Sequence, residues 1–90
     1  MNFKNKKILI TGGSTGIGAE LVKAFAKQGA IVGLHYLSSE DAAKKIASEI
    51  LSEGGSVELI RADASDSNAL ATAVNEAADR LGGLNGLINN

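Results

Sequence analysis

Residues 11–18 read Thr-Gly-Gly-Ser-Thr-Gly-Ile-Gly, a run of small and hydroxyl residues that follows the apolar triplet Ile8-Leu9-Ile10 directly. The chemistry open to such a run is the holding of a pyrophosphate. Phosphate oxygens set against a backbone need amide N–H groups aimed at them, no Cβ in between and a favourable helix dipole behind, and a glycine-rich strand-to-helix turn supplies all three. On that reading Gly12 makes the sharp turn off the strand, Gly16 admits the phosphates and Gly18 lets the next helix pack closely on the strand. Ser14 and Thr15 add hydroxyl donors, and Ile17 completes the stretch. The competing explanation is a tight turn whose glycines only satisfy backbone geometry. The spacing is Gly-x-x-x-Gly-x-Gly, not the Gly-x-Gly-x-x-Gly of many dinucleotide folds, and no Gly-Lys-Ser/Thr ending marks an ATP-hydrolysing P-loop.

Other chemistries find little material. The 90 residues contain no Cys and one His, which removes disulfides, thiolate metal sites and His-rich zinc sites. His35 reads as a packed or surface side chain, not a catalytic base. Nine basic and ten acidic residues, a net charge of -1, offer no basic stripe to a nucleic-acid backbone. Two Phe and one Tyr cannot build a stacking platform for single strands. The segment carrying Lys4, Lys6 and Lys7 precedes an apolar stretch too short for a signal sequence or a membrane span, so the expected location is the cytoplasm. With 44% apolar and 21% charged residues and no linker or low-complexity segment, the chain reads as one folded domain.

The elements that must hold the turn follow from alternating periodicities. Ile8-Leu9-Ile10 and Ile31-Val32-Gly33-Leu34 lack polar alternation, as strands covered on both faces should. Ser56–Ile60 alternates at its start, which directs Val57 and Leu59 inward and Glu58 outward and suits a strand nearer a sheet edge. Leu87-Ile88 begins a fourth strand. Between the first two strands, Gly18, Leu21, Val22, Phe25 and Ala26 share one helical face, which Gly29 terminates. The second helix opens at Ser38-Ser39-Glu40-Asp41, buries Ala43, Ile46, Ala47, Ile50 and Leu51, and stops at Gly54-Gly55. The third starts around Ser65 to Ser67, shows Leu70, Val74, Ala77 and Leu81 on one face, and ends at Gly82-Gly83. Strand–helix alternation of this kind predicts an α/β fold with a parallel sheet.

Thr11, Gly12, Gly16 and Gly18 match the Thr-Gly-x-x-x-Gly-x-Gly motif of classical short-chain dehydrogenases/reductases, and the chain resembles that family over all 90 residues. Two further family features recur at fitting distances: Asp63-Ala64 after the third strand, and Asn89-Asn90, the opening of an Asn-Asn-Ala-Gly motif on the fourth. Met1-Asn2-Phe3 and Thr11 are also similar to 3-oxoacyl-carrier-protein reductases. The resemblance implies a Rossmann-type sheet in strand order 3-2-1-4, truncated after or within the fourth strand, with the first two helices on one face and the third on the other. It also implies that Asp63 accepts a hydrogen bond from the adenine amino group with Ala64 against the ring. Asn89 then stabilises the sheet around the turn, and Asn90 borders the ribose. Without the glycine turn, Asp63 would read as a loop residue or a cap before the third helix.

A carboxylate at the end of the second strand would bind the ribose 2′-hydroxyl of NAD and repel a 2′-phosphate. His35-Tyr36-Leu37-Ser38-Ser39 has none there, and Ser38 and Ser39, with Tyr36 nearby, either receive that phosphate or simply cap the second helix. NADP(H) is therefore favoured over NAD(H), although the Arg or Lys frequent in NADP-preferring relatives is missing and Thr15 stands in the turn. The family's Ser and Tyr-x-x-x-Lys do not occur in these 90 positions, so the resemblance implies the cofactor-binding first part of a reductase, without activity alone. Two expectations accompany it: self-association through the edge of the fourth strand, and, as the alternative, a half-Rossmann module that binds a nucleotide without chemistry.

Overall fold

The computed structural model describes residues 2–62 and 68–90. Its elements are β1 (Lys7–Thr11), α1 (Gly16–Lys27), β2 (Ile31–Tyr36), α2 (Glu40–Ser52), β3 (Ser56–Arg61), α3 (Ala69–Leu81) and β4 (Gly86–Asn89). The four strands form one parallel sheet, as the strand–helix alternation predicts, in the order β3-β2-β1-β4 that the family resemblance implies. Each strand extends beyond its apolar run, β2 as far as the buried His35 and Tyr36.

The two faces are filled by alternate residues of the same strands. Ile8 and Ile10 of β1, with Val32, Leu34 and Tyr36 of β2, pack against Val22 and Ala26 of α1 and Ala43, Ile46 and Ile50 of α2. Leu9 of β1 and Ile60 of β3 turn to the opposite face and meet Ala73, Ala77 and Leu81 of α3. Two helices therefore cover one face and one covers the other. The segment before β1 closes over the end of α1: Phe3 meets Phe25 edge-on with ring centroids 4.9 Å apart, and the Phe3 N–H donates to Gln28 O at 3.1 Å.

Several side chains depart from the sequence expectation. Leu51 is 59% exposed, because Ala43, Ile46, Ala47 and Ile50 already complete the i, i+3, i+4, i+7 stripe and Leu51 lies past it. On α3 the buried stripe is Ala69, Ala73, Ala77 and Leu81, while Val74 is half-buried and Leu70 is 44% exposed. Along this stripe α3 lies against β2: a Cβ at Gly33 would stand in ordinary van der Waals contact with Leu81 Cδ1 at 3.5 Å and Ala77 Cβ at 3.7 Å. Val57, Glu58 and Leu59 are all half-buried; the first and last pack on the α1/α2 face, whereas Glu58 points to the other side, where its partly exposed carboxylate pairs with Arg80 of α3 at 3.0 Å. The expected start of the third helix at Ser65 to Ser67 lies outside the described residues. Ser39 occupies the N-cap position of α2, yet its side chain makes no cap hydrogen bond, and Glu40 and Asp41 supply the negative charge to the first turn. Among the described residues, β4 pairs only with β1, and no helix is long and apolar enough to cross a membrane.

Candidate functional site

The chain leaves β1 for α1 and β2 on one side, and reaches β4 on the other side from α3, so the carboxyl ends of β1 and β4 flank the point where the connections diverge. In open parallel sheets a crevice forms at that point. Here it is a cleft of about 590 Å³, within the usual range for ligand sites. Thr11, Gly12 and Ser14 line it from the glycine turn, His35 to Ser39 from the end of β2, Asn89 and Asn90 from β4, and Ala69, Leu70 and Ala73 from α3.

The turn is built around two approaches that a side chain would forbid. Gly12 has φ +62°, in the left-handed region that glycine enters at little cost. Behind it, a Cβ on Gly18 would fall well inside the van der Waals contact of the Gly12 carbonyl oxygen and 2.7 Å from Asn90 Nδ2. The first turn of α1 therefore presses against the glycine turn itself, a closer contact than the helix-on-strand packing expected of Gly18. Gly16, also at positive φ, has no atom within 4 Å of its Cβ position, so the space before it is open.

The electrostatics at this end of α1 favour an anion. The first N–H groups of a helix lack intrahelical acceptors, and the end carries roughly half a positive charge. Thr15 sits at the N-cap with extended backbone and no side-chain cap bond, and no acidic residue occupies the first turn. Thr15, Gly16 and Ile17 are exposed, Ile17 by 73%.

Hydrogen bonds between strands hold the turn in place. The Gly12 N–H donates to His35 Nδ1 at 3.2 Å and the Gly13 N–H to His35 O at 2.9 Å. Thr11 Oγ1 donates to Asn89 Oδ1 at 2.8 Å and accepts the Asn90 N–H at 3.0 Å, while Asn90 Nδ2 donates to Gly12 O at 3.3 Å. Asn89 thus joins β4 to β1, and Asn90 fixes the carbonyl of the turn.

Of the sequence-derived candidates, Gly12, Ser14, Tyr36, Ser38, Ser39 and Asn90 come together around the cleft. Thr15, Gly16 and Ile17 form its outer lip at the start of α1, and Gly18 stands behind the turn. Asp63 and Ala64 lie outside the described residues. Tyr36 Oη donates to Glu40 Oε1 at 3.4 Å, so the acid nearest the end of β2 is turned to that phenol. Sequence reasoning overlooked Arg61, which the β2–β3 register sets beside Tyr36 and whose Nε donates to Leu37 O at 3.3 Å. It also overlooked His35 as an anchor, although a polar residue closing the apolar run 31–34 was a visible signal.

Comparisons with known proteins agree with this geometry. The family model described as short chain dehydrogenase matches residues 6–90. Over 89 residues the chain is 35% identical to the probable galactose dehydrogenase GalD of Rhizobium meliloti (strain 1021), covering 99% of this chain and 35% of that protein. It is 36% identical over 90 residues to the short-chain dehydrogenase/reductase homolog YusS of Bacillus subtilis (strain 168), covering 100% of this chain and 83% of that one. A crystal structure of a dehydrogenase/reductase from Sinorhizobium meliloti 1021 superposes with a TM-score of 0.94 at 40% identity, covering 99% of this chain and 35% of the other. A blue fluorescent protein from a metagenomic library, solved in complex with NADPH, superposes with a TM-score of 0.89 at 34% identity, covering 97% and 36%. The chain spans about a third of the length of GalD and of both solved structures.

Proposed function

Since the chain belongs to the short-chain dehydrogenase family, we propose that it binds a nicotinamide dinucleotide in the cleft at the ends of β1, β2 and β4. The observation that carries this reading is the cradle itself: α1 begins so close to Gly12 that no Cβ fits at Gly18, while the space before Gly16 is open. A pyrophosphate would lie against the turn from Gly12 to Ile17 with Ser14 and Thr15 as hydroxyl donors, and Asn90 would border a ribose. Asp63 and Ala64 would hold the adenine. When bound, the dinucleotide supplies a hydride acceptor or donor.

NADP(H) is the preferred form on this reading. Ser38 and Ser39 line the cleft, Glu40 is engaged by Tyr36, and Arg61 brings a guanidinium to the Leu37 carbonyl. An arginine gains more from a phosphate, which offers charge-assisted and bidentate hydrogen bonds, than from a neutral 2′-hydroxyl. Titration with NADPH and NADH tests both statements. NADPH is expected to bind more tightly, and Arg61→Gln to weaken NADPH about tenfold, roughly 1.4 kcal/mol, with NADH unchanged. Equal loss for both cofactors would remove Arg61 from the 2′-phosphate, and binding of neither would remove the cleft assignment.

For the intact protein we infer hydride exchange with a carbonyl or secondary alcohol in the cytoplasm. These 90 residues are assigned to cofactor capture, since Tyr36 points to Glu40 and stands in no Tyr-x-x-x-Lys sequence. The edge of β4, where Leu87 is 42% exposed, is proposed to pair with a second copy of the chain. A second reading, a nucleotide-binding module without chemistry, draws on YusS, of which this chain covers 83%. An open reading frame continuing with Ala-Gly and a later Tyr-x-x-x-Lys favours the enzyme, and a stop after Asn90 the module.

A further inference from the structure

Resting on the cofactor reading above, we propose that His35 is a positioning residue that holds the glycine turn in its ligand-ready form through a single neutral tautomer. The residue is 8% exposed, and its ring is bonded at both nitrogens. The Gly12 N–H can only donate, so Nδ1, 3.2 Å away, must accept and carry no proton. The Ala62 carbonyl can only accept, so Nε2, 3.0 Å away, must donate. One tautomer satisfies both contacts. The imidazolium would set an N–H at Nδ1 against the Gly12 N–H, and the turn would lose its anchor. The same ring ties the turn to Ala62, directly before Asp63, so one side chain aligns the phosphate end of the cleft with the end of β3.

His35 lies on the α3 face of the sheet, the face of Leu9 of β1 and Ile60 of β3, and lines the cleft with Ala69 and Ala73 of α3. Most charged groups of those elements are engaged elsewhere among the described residues: Glu58 and Glu76 pair with Arg80, Arg61 bonds the Leu37 carbonyl, and Lys7 bonds Gly82 O. Asp79 of α3 is exposed to solvent, and Glu40 of the neighbouring α2 accepts from Tyr36. Asp63 lies outside the described residues. Within this surrounding, the side chain that accepts from the turn directly is the imidazole, so dinucleotide affinity should depend on an acceptor at the Nδ1 position.

The test is calorimetric titration of the 90-residue chain with NADP+. His35→Asn places an amide oxygen where Nδ1 stands and can accept from Gly12. His35→Gln reaches instead toward Ala62 and leaves Gly12 without its acceptor. His35→Asn is expected to keep most of the wild-type affinity and His35→Gln to bind about tenfold more weakly than His35→Asn, the scale of one net hydrogen bond. Imidazole nitrogen NMR on the free chain should show the tautomer protonated at Nε2, and circular dichroism checks that each protein is folded. An Nδ1-protonated tautomer, or folded His35→Asn and His35→Gln that bind equally, overturns the proposal while leaving the cofactor reading standing. A folded wild type that binds no dinucleotide overturns both.

Discussion

Gly18→Ala adds one methyl group at the point where α1 meets the glycine turn. The added carbon would overlap the Gly12 carbonyl oxygen and come within 2.9 Å of the Gly12 carbonyl carbon and 2.7 Å of Asn90 Nδ2. Two of these three atoms are backbone, so the turn or the helix must move. Overpacking of this kind costs about 1–3 kcal/mol. Displacing Asn90 adds the loss of its 3.3 Å bond to Gly12 O, about 0.5–1.5 kcal/mol. The helix propensity of alanine returns at most about 1 kcal/mol. A net loss of about 1–3 kcal/mol would lower the melting temperature of a domain this size by roughly 5–20 °C. Gly54→Ala is the matched control: its φ of +83° imposes a backbone cost of about 1–2 kcal/mol, with open space around it and no part in the cleft. Urea unfolding should therefore show similar losses for both variants, whereas dinucleotide affinity should fall on the order of tenfold only for Gly18→Ala. If Gly18→Ala unfolded at the wild-type midpoint with unshifted Gly12 and Asn90 amide resonances, the close approach would not exist and the cradle argument would fail.

Thr11→Val keeps the branched shape but leaves Asn89 Oδ1 and the Asn90 N–H without their partner, a loss of about 1–3 kcal/mol by urea unfolding, with faster exchange at the Asn90 amide. Unchanged stability and exchange would show that β4 does not depend on this bridge. Leu9→Ala should cost about 2–5 kcal/mol and Leu70→Ala within about 0.5 kcal/mol, so equal melting shifts would contradict the packing of α3. Sedimentation at rising concentration should reveal self-association of the wild-type chain that Leu87→Lys weakens, because a charge on an edge strand opposes pairing. Association unaltered by the lysine would move the contact away from β4.

Sheet order and the positions of the helices were legible because the apolar pattern changes period cleanly between elements, and a right-handed crossover leaves few topologies. Stretches where pattern and packing diverged were less legible. Apolarity marked Leu70 and Leu51 as core residues, whereas the buried stripe of α3 runs through Ala69, Ala73, Ala77 and Leu81 and the stripe on α2 is complete at Ile50. Ser39 has a good capping residue type, but the type alone does not orient its hydroxyl. At the site, the glycine spacing pointed to the turn, while Arg61 gave no signal and His35 only that of a polar residue closing an apolar run: their roles come from the register that pairs Tyr36 with Arg61 and His35 with Ile60.

The sequence by itself determined a parallel sheet, a glycine turn at its first strand and the candidates around it, since these depend on periodicity and on which residues lack a Cβ. Tertiary structure alone decided that Gly18 abuts Gly12, that Asn89 and Asn90 take different partners, and that His35 is locked between Gly12 and Ala62. The reason is geometric. A hydrogen bond between residues 23 or 78 positions apart depends on how strands align in space, which local sequence does not encode.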